Sequence, residues 1–204
     1  MFKKSKKRPE GRSRGAYKDP ESLISALSGP KHSLFAQAQL EGGFRLNDLR
    51  YIREKNLKGT VTDRVTGKEN GVIWVEGRMG IIRNCYVSPR TYSKIKEIID
   101  REEKFAIDER DYIRDLYSAS KKTNQDYQGS DGFRYNFARR RYDECLKALE
   151  TGLIDRFDIP FEKGDLKRLK LKGKSKEEMF NIAILKKVAK EMGSHRPETV
   201  EHYL

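Results

Sequence analysis

The residues in this sequence that are best suited to chemistry are arginines and phenylalanines that share one predicted helix. The stretch FRYNFARRRYDECLKALE spans residues 133–150 and has apolar residues at helical spacing. The side of this helix that is predicted to face the core carries Tyr135, Tyr142, Cys145, Leu146 and Leu149. The opposite side carries Phe133, Arg134, Phe137, Arg140 and Arg141. Because arginine pairs bidentately with phosphate and aromatic rings stack on unpaired bases, this opposite side is predicted to bind nucleic acid.

A structural interpretation of the same residues stays open. Phe133 and Phe137 would then pack under the sheet or under the amino-terminal helices, and the arginines would pair with nearby acidic residues. Large apolar side chains are seldom exposed together on soluble monomers, which favours this alternative. The two interpretations differ in whether this side of the helix is exposed or buried.

The amino-terminal arm, residues 1–20, is a second candidate for contact with nucleic acid. It holds eight basic residues against two acidic ones, and its scarcity of apolar residues predicts disorder. The cations that we expect to bind are Lys3, Lys4, Lys6, Lys7, Arg8, Arg12 and Arg14. Each cation that neutralises a phosphate releases a counterion, so this binding would depend on salt and not on base sequence. A solvated tail, a localisation signal and a solubility device are the alternatives.

A third basic stretch, KRLKLKGKSK, spans residues 167–176. Three of its lysines are predicted to extend the same positive surface: Lys170, Lys172 and Lys174. A solvated loop without a binding role explains this stretch equally well.

The amino-acid composition limits the kinds of partner that the chain is expected to bind. The chain has 204 residues, of which 37% are charged, and its formal net charge is +13. Such an excess favours polyanions and predicts a nucleic-acid partner, with DNA and RNA left undecided. No apolar run approaches the length of a membrane span, and the arm lacks the apolar centre of a secretory signal. The chain is therefore expected to be intracellular, either cytoplasmic or in a nucleoid or nucleus, with no membrane partner.

Cysteine usage points to a reducing compartment. Cys85 and Cys145 lie far apart in the sequence, so they predict neither a disulfide framework nor a metal-ligand cluster. We expect both to be small buried hydrophobic residues.

The predicted fold class is α+β, with a small antiparallel three-stranded meander, a mainly helical carboxyl-terminal half and a disordered basic amino-terminal arm. Three segments rich in β-branched residues lie within residues 58–88, and the loops between them are too short for parallel crossovers. Helix starts are indicated by Asp19, Ser88, Asp108 and Asp131. Residues 21–193 are expected to form one domain, in which short helices fill 20–56 and helices follow from 88 to 193. The last of the short helices is predicted for residues 44–56 from mostly helical spacing of apolar residues, and a strand start there stays open. Residues 194–204 are expected to form a tail.

The sequence shows no catalytic signature. Its three histidines lack the spacing of zinc ligands, and it contains neither a phosphate-binding glycine loop nor a nucleophile elbow. The carboxylates between residues 100 and 115 recur on predicted helices beside lysine and arginine, as surface charge pairs do. We therefore expect neither metal nor cofactor.

These observations predict a non-enzymatic nucleic-acid-binding protein that uses the arm and the Arg/Phe side of the helix. The alternative is a structural or assembly protein of a ribonucleoprotein or a virus-like particle, whose folded part contacts other proteins. A metal-dependent nuclease is the third hypothesis, and it lacks the carboxylates at strand ends that two metals would need.

Overall fold

A computed structural model describes residues 15–48, 52–77, 82–154, 176–194 and 198–204. The fold class is α+β, as predicted, with one three-stranded antiparallel sheet among helices. The helices are α1 (Pro20–Ala26), α2 (Pro30–Gly42), α3 (Pro89–Glu102), α4 (Glu109–Lys122), α5 (Gly132–Glu150), α6 (Lys176–Glu191) and α7 (Glu198–Glu201). The strands are β1 (Leu57–Thr62), β2 (Glu69–Glu76) and β3 (Ile82–Val87). The predicted arm cations up to Arg14, and the predicted lysines Lys170, Lys172 and Lys174, lie outside the described residues.

A helix begins after each of the four predicted capping residues, and three of their side chains make the capping hydrogen bond. Asp19 accepts a hydrogen bond from the Ser22 N–H at 3.0 Å, and Ser88 and Asp108 cap α3 and α4 in the same way. Asp131 stands before α5, but its side chain makes no capping hydrogen bond. Gly43 caps the carboxyl end of α2, and its φ of 63° is the left-handed conformation that favours glycine.

The sheet has the order β1–β2–β3, and both pairs are antiparallel. Val72, Ile73 and Val75 of β2 are all buried, so the central strand is covered on both faces. Most of β1 is exposed, because it forms one edge of the sheet. The meander predicted from the three β-rich segments is therefore confirmed.

The helix predicted for residues 44–56 is wrong. Its described residues form a turn up to Asp48, an isolated bridge between Ile52 and Phe105, and a 3₁₀ turn at Glu54–Asn56. The Asp48 carboxylate accepts the Arg45 N–H at 2.8 Å, and such local bonds compete with helix formation. The apolar residues that suggested a helix, such as Ile52, are buried from irregular backbone.

Two neighbouring hydrophobic clusters make up the core. The first joins α1, α2, the sheet, α3 and α4, and the second joins α5, α6 and α7. Helix α5 contributes to both, since Phe133 belongs to the first cluster and Phe137 to the second. Cys85 and Cys145 are free and buried, as predicted.

The carboxyl-terminal residues, predicted to be a tail, are packed on the domain where they are described. Val200 of α7 is fully buried, and the ring of Tyr203 lies 4.4 Å from that of Tyr135 on α5. His202 is exposed. Among the described residues, no helix is both long and apolar enough to cross a membrane.

Candidate functional site

The side of α5 that was predicted to face solvent is buried. Phe133 is 0% exposed and its ring lies 5.0 Å from that of Tyr17, while Phe137 is 5% exposed. Both phenylalanines are therefore packed as the structural alternative describes, and neither presents an exposed ring on which a base could stack. The helical wheel gave most weight to tyrosines and leucines such as Tyr142 and Leu146, which are only half-buried.

Arg141 is buried among carboxylates. It is 6% exposed and forms ion pairs with Asp63 at 2.7 Å, Glu191 at 2.7 Å and Glu144 at 3.1 Å. Burial alone would lower the pKa of Arg141, but Glu191 and Asp63 raise it above its ordinary value. Burial likewise opposes ionisation of Asp63, yet Arg141 lowers the pKa of that carboxyl. Arg141 is thus neutralised, and it ties α5 to α6 and to the turn after β1.

Arg140 is the one predicted residue on this side of α5 that is exposed. Its guanidinium donates to the carbonyls of Leu40 at 3.1 Å and Glu41 at 3.0 Å, near the end of α2. It also lies 3.5 Å from Glu144. Arg140 therefore stabilises a helix end and keeps part of its guanidinium accessible to solvent.

Arg134 is buried without a carboxylate. It is 3% exposed and donates to the carbonyl of Gly43 at 2.6 Å and that of Met192 at 3.2 Å. Within the described part of the chain, no Asp or Glu lies within ion-pair distance of it. Burial lowers the pKa of Arg134, Tyr203 raises it, and the nearby Arg83 and Arg45 lower it further. This arginine is a buried cation held by backbone carbonyls.

Arg45, Arg83 and Arg134 converge on one turn, and we call them the arginine cluster. Three consecutive carbonyls at the end of α6 each accept from a different member: Glu191 from Arg83 at 2.7 Å, Met192 from Arg134 at 3.2 Å, and Gly193 from Arg45 at 3.3 Å. Carbonyls at a helix carboxyl terminus lack intrahelical donors and carry partial negative charge. The turn therefore gathers cations that would otherwise repel one another.

The arginine cluster keeps an excess of positive charge. Asp48 pairs with Arg83 and also accepts the Arg45 N–H, so the four side chains carry a net charge of +2. Arg83 and Asp48 are almost fully buried, whereas Arg45 is partly exposed. The cluster therefore meets solvent at Arg45, and its field favours an anion there.

Tyr203 brings a phenol close to the cluster. Ionisation of this phenol would raise the pKa of Arg134, and the backbone carbonyl of Tyr203 accepts from Nε of Arg139 at 3.1 Å. Together with the packing on Tyr135, this bond holds the carboxyl-terminal segment against α5.

Sequence reasoning found Arg134 but missed Arg45, Arg83 and Tyr203. These residues come from four distant parts of the chain and meet only in the folded molecule. One local signal was present, since Arg45 follows the Gly42–Gly43 pair that ends α2. An arginine just past a helix end can reach carbonyls of that or another terminus.

The acidic residues between 100 and 115 serve surface pairing and capping. Asp100 pairs with Lys96 at 3.0 Å, Asp111 pairs with Arg114, and Asp108 caps α4. The described ranges contain no group of three or more His, Cys, Asp or Glu residues that could hold a metal ion.

Comparisons with known proteins return a distant structural likeness. No family model matches the chain, and no curated protein matches it. Among solved structures it is similar to the crystal structure of the XerH site-specific recombinase bound to palindromic difH substrate, a post-cleavage complex. The TM-score is 0.47 and the identity is 15%, over 82% of this chain and 53% of that chain. The chain thus spans about half the length of the recombinase that it matches.

This likeness corrects one prediction and leaves another without support. The matched protein is a recombinase and hence an enzyme, so the prediction that the chain is non-enzymatic is withdrawn. No comparison supports the alternative of a ribonucleoprotein or virus-like particle component.

Proposed function

We propose that this chain binds nucleic acid through the phosphodiester backbone and that the arginine cluster holds a phosphate. The observation that carries the proposal is Arg134, a buried cation with no carboxylate partner in the described part of the chain. A buried charge without a countercharge costs free energy, and an anionic ligand offsets that cost.

The hydrogen-bonding capacity of Arg134 supports this assignment. A guanidinium has five N–H donors, and the two carbonyl bonds of Arg134 use one donor on each of its two terminal nitrogens. Arg45 adds donors on the side that meets solvent. Contacts of this kind position a phosphate backbone and carry no sequence information of their own.

The cations of the amino-terminal arm, from Lys3 to Arg14, complete the proposed surface. They are part of the net charge of +13, and each phosphate that they neutralise adds to the salt dependence of binding. Lys170, Lys172 and Lys174 are proposed to contribute in the same way. Arg140 is proposed as a further contact because it is exposed beside α2.

The test compares two variants, each of which loses one positively charged arginine side chain. Fluorescence anisotropy measures the affinity for labelled duplex DNA, single-stranded DNA and RNA at rising salt. Arg134→Met should weaken binding about tenfold or more, since hydrogen bonds to charged groups contribute roughly 1.5–3 kcal/mol. Arg110→Met, on the exposed surface of α4, should change affinity less than about twofold.

Two results would overturn this proposal. One is a wild-type chain that binds none of the three nucleic acids at low salt. The other is an equal loss in the Arg134 and Arg110 variants, which would show that only overall charge matters. The relative affinities for the three probes decide between DNA and RNA.

A second candidate function is phosphoryl transfer with Tyr203 as the nucleophile. The observation that favours it is the place of Tyr203, whose ring lies 4.4 Å from that of Tyr135, the residue next to Arg134 on α5. Tyrosine forms covalent intermediates in some enzymes, and guanidinium groups stabilise the charge of a transferring phosphoryl group. The phenolic oxygen would bond to phosphorus as one bridging P–O bond breaks, and the phenolic proton would pass to the departing sugar oxygen.

A covalent adduct tests this second candidate directly. The chain is incubated with labelled duplex DNA, and bands that survive denaturing electrophoresis are scored. Tyr203→Phe should abolish the adduct, whereas Tyr135→Phe should retain it, because Tyr135 lies on α5 and packs against the Tyr203 ring. An absent adduct, or one that persists in Tyr203→Phe, removes this candidate and leaves the binding proposal standing.

A further inference from the structure

The end of α6 has two sets of partners that face different parts of the molecule. Its last carbonyls, from Glu191 to Gly193, hold the arginine cluster. The Glu191 carboxylate turns instead to Arg141, with bonds of 2.7 Å to Nε and 3.1 Å to Nη2. Lys187, one turn earlier, lies 3.0 Å from the same carboxylate. One helix end thus links a neutralised ion-pair network to a cluster with excess positive charge.

We propose that residues 191–193 are the positioning element of the phosphate site, and that the ion pairs of Glu191 and Arg141 hold this element in place. This inference rests on the proposed function, because it assigns residues that shape the site without touching the ligand. The carbonyl spacing of a helix end is rigid, so it sets the distances between the three guanidiniums.

Gly193 is the most constrained residue of the positioning element. Its φ is 72°, in the left-handed region that residues with a Cβ rarely adopt. A Cβ added there would lie 2.8 Å from both Cδ and Nε of Arg83, closer than atoms tolerate. Any larger residue at 193 would displace Arg83 as well as strain the turn.

The chain offers a matched control at Gly152. This glycine follows α5 with a φ of 70°, and a Cβ added there would meet nothing within 4 Å. Gly152→Ala and Gly193→Ala therefore carry a similar backbone cost, roughly 1 kcal/mol each. They differ in that only the alanine at 193 collides with a member of the arginine cluster.

The experiment measures the affinity of the full chain for labelled duplex DNA, single-stranded DNA and RNA, and the slope of log affinity against log salt. Gly193→Ala should weaken binding at least fivefold and lower the slope by about one, as expected when one phosphate contact is lost. Gly152→Ala should leave affinity and slope unchanged while lowering the melting temperature only by the backbone cost that the two variants share. Equal affinities for the two variants would overturn the inference.

A second variant tests the link from Arg141. Glu191→Gln keeps the shape of the side chain and removes the charge that holds Arg141 and Lys187. We expect a two- to fivefold loss of affinity in protein that denaturation curves show to be folded. Unchanged affinity in Glu191→Gln would mean that the network stabilises the fold without positioning the site.

The outcomes separate this inference from the function on which it rests. If the wild type binds and Arg134→Met weakens binding, but Gly193→Ala does not, only the positioning role fails. If Arg134→Met has no greater effect than Arg110→Met, the phosphate site itself fails.

Discussion

Arg134 and Arg141 lie two turns apart on α5, are about equally buried and differ in what neutralises them. Arg141 contacts three carboxylates, and two of them, Glu191 and Asp63, raise its pKa despite its burial. Arg134 contacts two backbone carbonyls, and burial lowers its pKa. Burial alone therefore does not separate a structural arginine from a binding one. The countercharge does, because a cation that is already paired has little to gain from an added phosphate.

The largest expected effect comes from removing the paired cation. Arg141→Met leaves Asp63 and Glu191 buried without their partner, so the free energy of unfolding should fall by about 3–5 kcal/mol. Urea denaturation followed by circular dichroism measures this loss. As a control, Arg114→Met breaks an exposed pair with Asp111 and should cost less than about 1 kcal/mol. If the free energy of unfolding of Arg141→Met falls by less than about 1 kcal/mol, the proposed difference between the two buried arginines is wrong.

A smaller effect is expected from acid. The folded-state pKa of Asp63 is lowered, so its contribution to stability is complete above the unfolded pKa of about 4 and is lost as the pH falls through the folded value. The free energy of unfolding should therefore fall less steeply with decreasing pH in Asp63→Asn than in the wild type. Asp115 adds the same dependence on pH to the wild type and to the variant. Burial would raise its pKa, but its bonds to His32 and Ser28 outweigh burial and lower the pKa to about 2. Identical slopes in the two proteins would contradict the pairing of Asp63 with Arg141.

The smallest change in stability is expected where the cation is unpaired. Arg134→Met removes two hydrogen bonds and also the cost of burying a charge, so the free energy of unfolding should change by less than about 1 kcal/mol in either direction. The same denaturation measurement applies. A loss comparable to that of Arg141→Met would show that Arg134 is structural and would weaken the phosphate-site proposal.

Local signals were enough to predict much of the fold. Ser88 and Asp108 precede helices and cap them, and the short loops around β2 leave its neighbours no other arrangement than antiparallel. The segment 44–56 was mispredicted because helical spacing of apolar residues does not reveal that Asp48 bonds the backbone locally.

The candidate site was harder to predict, because its geometry depends on tertiary contacts. Arg134 was selected for its residue type, but the side of α5 that carries it was placed in solvent. A helical wheel ranks faces by polarity and cannot show that Asp63, from the turn after β1, arrives to neutralise Arg141. Arg45 and Arg83 reach the site from other elements, and nothing in their own neighbourhoods marks them as a pair.

The membership of α5 in both hydrophobic clusters has a consequence for the order of folding. Phe133 completes the cluster formed by residues before it, and Tyr17 packs on Phe133. The Asn136 side chain accepts the Tyr17 backbone N–H and donates to the Tyr17 carbonyl. During synthesis, the earlier helices and the sheet therefore emerge before Phe133, which packs against them in the folded chain. The amino-terminal half should gain its full stability late, after the ribosome has released the helix that carries Arg134.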